Sequence, residues 1–153
     1  MPKLIKQGTI VEDDWLPVQE DGAGEARILT LEQWTQRTDK QGLAVQLEPG
    51  QAPSPLFDYL QQIPLVAINF PVFTDGRGFS YGRELRERGF AGELRACGHI
   101  LPDQMTYLRR CGFDAFQPAD ESRLEDALAG LADFDEYYQA SIDQPLPLFR
   151  RRS

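Results

Sequence analysis

The segment Asn69, Phe70, Pro71, Val72, Phe73, Thr74, Asp75, Gly76, Arg77, Gly78, Phe79, Ser80 gathers residue types able to hold an oxyanion. Glycines at 76 and 78 let a backbone approach a ligand closely, amides near Ser80 can donate at a helix start, and Arg77 with Arg83 can fork onto charged oxygens. Thr74, Asp75, Gly76, Arg77, Gly78, Ser80 and Arg83 are therefore the candidate binding residues. A competing reading is a tight turn in which Asp75 caps the next helix and pairs with Arg77. The spacing departs from a phosphate loop, which ends in Gly-Lys-Ser/Thr. It departs also from a dinucleotide fingerprint, since Gly82 arrives one residue late.

A second constellation follows in Gly98, His99, Ile100, Leu101, Pro102, Asp103, Gln104. His99, the single histidine, can act as a base near Asp75 or Asp103, and these three are the candidate catalytic residues. A histidine serving only packing or the surface competes with that role. No second His or Cys stands beside it, so no metal site is expected. Cys97 becomes a nucleophile only where nearby charge lowers its pKa; otherwise it is a buried, inert thiol, as Cys111 is expected to be.

The elements that position these residues come from patterning. Residues 7 to 18 place apolar pairs on either side of Glu12, Asp13 and Asp14, which suggests a short N-terminal hairpin turning at the acids. Residues 19 to 26 have little to bury and form a loop. Thr30 and Gln33 form a capping box for a helix expected to end near Asp39, and Leu43 to Leu47 follow as a strand. Pro55 opens a short second helix with Leu56, Tyr59, Leu60 and Ile63 on one side. Leu65 to Ile68 is continuously apolar, as a strand covered on both faces would be. Then come a helix over 79–88 with Gly78, Gly82 and Leu85 inward, a strand over 93–97, a helix opened by Pro102 and stopped by Gly112, a strand over 114–116, and a helix capped by Ser122 with Glu125.

Repeated βα units of this kind argue for an α/β fold with a parallel sheet and right-handed crossovers. Both an open doubly wound sheet and a half-barrel-like arrangement satisfy the pattern. The 153 residues suit one α/β domain over 1–144, with a flexible C-terminal tail over 145–153. An apolar fraction of 41% with nine Phe and five Tyr supports a packed core.

No apolar run approaches the length of roughly 20 residues that spans a bilayer, and no secretory leader is evident, so a cytoplasmic protein is expected. The formal charge of −8 argues against nucleic acid as a partner. Its distribution is uneven. Residues 76–110 hold seven Arg against Glu84, Glu87, Glu93 and Asp103, whereas 112–149 hold nine acids and only Arg123. Such a basic island suits a small anion, or else consists of solvated arginines in helix-surface pairs.

The runs FPVFTDGRGFS (70–80), GELRA (92–96), Asp103-Gln104 and RCGFDAF (110–116), with the opening Ile5 to Trp15, resemble a bacterial family of unknown function. Its members carry the label of oxidoreductases involved in sulfite reduction. The resemblance implies a setting beside sulfate and sulfite assimilation, with sulfite reductase or another enzyme of that chemistry as the partner. It brings no established catalytic residues, and the sequence departs from the family pattern at His99 and Pro102. Six-electron reduction needs a redox centre, and the residues show no cluster, flavin or nicotinamide signature, so no cofactor is expected. The expectation is an accessory protein that binds a small anion or a partner enzyme at the Asp75-Gly76-Arg77-Gly78 turn. A small enzyme acting on an anionic or phosphorylated substrate, and a structural dimer module, are the alternatives.

Overall fold

The computed structural model describes residues 3–13, 28–72 and 76–131. Thr74, Asp75, the loop expected over 19–26 and the tail over 145–153 lie outside the described residues. The chain opens with an antiparallel hairpin, β1 (Lys3–Lys6) and β2 (Thr9–Glu12). Its turn is Gln7-Gly8 rather than the acidic run. Both residues have positive φ, 55° and 79°, the mirror-image two-residue turn that matches strand twist.

Parallel strands follow: β3 (Ile28–Thr30), β4 (Ala44–Leu47), β5 (Leu65–Phe70), β6 (Glu93–Gly98) and β7 (Ala115–Pro118). The sheet order is β2-β1-β7-β6-β5-β4-β3. The fold is thus mixed α/β with a seven-stranded, mostly parallel sheet and no closed barrel. Because β3 to β7 lie side by side in chain order, the sheet never reverses its winding. That is the half-barrel-like order, and it excludes the doubly wound alternative.

Among the described residues, the helical connections after β3 pack on one face. Thr30 caps α1 (Leu31–Thr35) with the reciprocal Gln33 bonds expected from sequence, at 3.0 and 3.1 Å. The helix stops at Thr35, short of Asp39, because Lys40 folds back to donate to the carbonyls of Trp34, Thr35 and Arg37. The segment after Pro53 is a 3₁₀ helix, Ser54–Tyr59, not an α-helix. Next come α2 (Arg77–Glu87) and α3 (Met105–Arg110), the latter entered through a 3₁₀ turn at Pro102–Gln104 and closed at Gly112, φ +106°. The Asp120 side chain, rather than that of Ser122, caps the next helical stretch by accepting from the Ser122 amide, and that stretch is described as far as 131.

Trp34, Leu56, Leu85, Met105, Leu108, Leu124 and Leu131 join Val45, Val66, Ile68, Leu94, Ala96 and Phe116 in a single core. The opposite sheet face carries a smaller apolar group, Ile28, Ala44 and Leu65, and then turns polar toward the strand ends. Helix α2 lies very close to β5. A Cβ on Gly78 would come within 2.6 Å of the Phe70 ring and 2.9 Å of Ile68, so only glycine allows this contact. Among the described residues no helix is long and apolar enough to cross a membrane.

Candidate functional site

The carboxyl ends of β4 to β7 point the same way, and the turn singled out in the sequence follows β5. Gly76 is the N-cap of α2 and brings no side chain to the helix start. Arg77 is exposed in the first turn, and its Nη1 lies 3.5 Å from where a Cβ of Gly50 would stand, so it leans over the end of β4. Tyr81, one turn on, accepts the Gly50 amide at 3.0 Å and holds that loop against α2. Ser80 is exposed on the same helix, while Gly78 faces inward and serves packing against Phe70. Arg83 turns elsewhere. Its Nη2 donates to Tyr107 Oη at 3.1 Å and approaches Cys111 Sγ at 3.5 Å, across α3. Arg77 and Arg83 thus have different neighbours, and a joint grip on one anion requires Arg83 to leave Tyr107.

Strand β6 ends at Gly98, with φ +98° and no room for a Cβ beside Asn69 Oδ1 and the Phe70 carbonyl. The exposed His99 follows, its amide donating to Phe70 O at 2.6 Å. Gly98, His99, Ile100 and Leu101 face Pro118, Ala119, Asp120 and Arg123 across a cleft of about 320 Å³. Asp103 is exposed in the 3₁₀ turn and does not line this cleft.

The most heavily bonded polar groups stand on the sheet face away from the helices, where sequence reasoning did not look. Arg95 is 1% exposed, and Asp13 reaches over the sheet to it with 4% exposure. The two form a bidentate pair at 2.9 and 3.1 Å, and Glu93 accepts from Arg95 Nε at 2.9 Å and contacts Nη2 at 2.8 Å. Burial works against the guanidinium charge, but the bonds to Asp13 and the charges of Glu93 and Asp13 outweigh it, and the Arg95 pKa rises. Arg95 therefore does not belong to the exposed basic island.

Beyond it, Glu48 accepts from Gln46 and Asn69, each at 2.8 Å. The oxygens of the same two amides, with Ile68 O, surround Cys97 Sγ at 3.6–3.9 Å. Burial, reinforced by Glu48 and opposed by Arg95, pushes the Cys97 thiol up to about 12. Cys97 thus lies on the polar face rather than in the core, and it is a poor nucleophile there. The signal was present in the alternation of Glu93, Arg95 and Cys97, which share one face of β6 while Leu94 and Ala96 take the other. Among the described residues no three His, Cys, Asp or Glu side chains converge as a metal site.

Residues 44–149, more than two thirds of the chain, match the family described as bacterial protein of unknown function (DUF934). The chain belongs to this family. The region matched by the family includes the Arg77 turn, the His99 cleft and the polar face of β4 to β7, and it begins after the hairpin and Asp13. No curated protein matches the chain.

Proposed function

We propose that this family member is an accessory protein of sulfite and sulfate assimilation that binds a small anion, or an anionic group of a partner enzyme, at the turn opening α2. The observation that carries the binding half is the exposed Arg77 at a helix start whose N-cap is glycine, beyond the carboxyl ends of β4 and β5. There the amides of the first turn and the helix dipole favour negative charge, and a guanidinium supplies a charge-assisted partner. The arrangement of the thiols supports a role other than electron transfer by a dithiol. Cys97 and Cys111 lie on opposite faces of the sheet, so they do not form a couple. The pathway rests on the likeness to a family labelled for sulfite reduction.

Calorimetry with sulfite, sulfate, phosphate and adenylylated sulfate tests the binding half. At least one ligand should bind, and Arg77→Ala should weaken it by roughly tenfold or more, the scale of one charge-assisted hydrogen bond. Equal binding by parent and variant would make the turn purely structural. A deletion strain should grow poorly on sulfate yet normally on cysteine; normal growth on sulfate would remove the pathway assignment.

A further inference from the structure

The cleft between the ends of β6 and β7 is separate from the α2 turn and has its own polar groups. His99 is exposed, and its imidazole makes no hydrogen bond to any described residue. Arg123 is exposed and forms no ion pair within 4 Å among the described residues, although its charge is close enough to help hold the Asp120 carboxyl low. Asp120 Oδ1 takes both the Ser122 amide, at 3.0 Å, and the Ser122 hydroxyl, at 2.7 Å. Those donors hold the Asp120 carboxyl below its ordinary range and leave Oδ2 without a described donor. Ile100, Leu101 and Pro118 give the cleft an apolar wall, and its volume of about 320 Å³ falls in the range of small-molecule sites.

These groups complement one ligand class. A guanidinium and an imidazole lining the same cleft from its two sides can take a carboxylate between them, a fixed carboxylate oxygen takes a nearby N–H or O–H, and the wall takes a short apolar chain. We propose that this cleft binds a small organic carboxylate bearing an adjacent hydrogen-bond donor, an α-amino or α-hydroxy acid, with His99 and Arg123 holding the carboxylate and Asp120 the donor. Sulfate lacks the donor, and inorganic oxyanions, which have no apolar chain for the wall, also bring more negative charge against Asp120. Acetate lacks both the donor and the apolar chain.

His99 is the single histidine of the chain, so its imidazole signal in proton–carbon NMR needs no assignment. The full-length protein is titrated with acetate, lactate, alanine, leucine, sulfite and phosphate at constant ionic strength, and the His99 pKa is followed with each. The charged groups lining the cleft with it are Asp120 and Arg123, and both remain in place through this titration. Leucine or lactate should shift the His99 signal saturably, raise its pKa, and bind at least fivefold more tightly than acetate. Arg123→Gln, a surface change whose fold is checked by circular dichroism, should weaken that binding tenfold or more. Asp120→Asn should reduce the preference over acetate. Arg77→Ala should change none of these values, which separates this site from the one at α2. No saturable shift with any organic acid, equal binding of acetate and leucine, or a response to sulfite and phosphate alone would each overturn the proposal.

Discussion

Removing the Asp13 carboxylate tests whether the polar face is held together as the structure indicates. Arg95 engages Glu93 through Nε, Asp13 and Gln117 through Nη1, and Asp13 with Glu93 through Nη2. Asp13→Ala deletes two charge-assisted bonds and leaves a guanidinium of 1% exposure with Glu93 as its remaining carboxylate. Breaking a buried pair from one side costs about 3–5 kcal/mol. Glu93 retains part of the compensation, so the lower end applies, about 3 kcal/mol. For a chain of this size that lowers the melting temperature by roughly 6–12 °C. Urea unfolding followed by tryptophan fluorescence gives the free energies for Asp13→Ala, Arg95→Met and the double variant. The double variant should lose clearly less than the sum of the singles, because methionine leaves no buried charge behind. A cost for Asp13→Ala under about 1 kcal/mol, or strict additivity, would refute the reasoning.

Three further outcomes follow from the same geometry. Cys97 has a folded pKa of about 12 against about 8.5 in an unfolded chain, so the native state keeps its proton where the unfolded state loses it. The associated stability is complete below about pH 8.5 and lost as pH rises toward 12. Between pH 7 and pH 10 it should fall by about 2 kcal/mol, a loss that Cys97→Ala abolishes in parallel urea titrations. Gly78→Ala should destabilise by about 1–3 kcal/mol through the clash with Phe70 and Ile68. Gly76→Ala, whose nearest neighbour would stand 3.9 Å away, should stay within about 0.5 kcal/mol; equal melting temperatures for the two variants would contradict the close helix contact. A Cys97→Ser, Cys111→Ser variant that folds should still support growth on sulfate, and loss of growth would restore a redox role for the thiols.

The helix-facing half of the fold was legible because it obeys local rules. Thr30 with Gln33, the apolar run at 65–68 and Gly112 each announce themselves through neighbours a few residues away. The polar half is built from long-range pairs. Asp13 and Arg95 are 82 positions apart, and Glu48 meets Asn69 across a strand pair. Charge counting along the chain put Arg95 in a basic island, although its charge is taken up by two carboxylates beneath the surface. The acids at 12–14 resembled a turn by composition, but Gln7-Gly8 has the positive-φ conformation a two-residue hairpin needs. For the candidate site, the sequence located the start of α2 and the inward face of Gly78, but it could not tell that Arg83 crosses to α3.

The winding of the sheet bears on whether the two candidate ligand sites act together. A doubly wound sheet has one crevice, where the strand order reverses, and concentrates ligands there. Here β3 to β7 run in order, so no such crevice exists, and strand-end ligands are held by separate loops, as on the upper rim of a barrel. Arg77 leans over the end of β4, whereas the His99 cleft lies between β6 and β7. At about 4.8 Å per strand the two are roughly 12 Å apart along the sheet. That exceeds the Debye length of about 8 Å at physiological salt, so charges exposed at one site are largely screened from the other. Saturating the α2 turn with an anion should therefore alter organic-acid affinity at His99 by less than about twofold at 0.15 M salt, with a larger effect emerging near 0.01 M, where the Debye length is about 30 Å. Strong coupling at 0.15 M would mean that the loops after β4, β5, β6 and β7 close over one shared ligand, and Arg77, His99 and Arg123 would then belong to a single site.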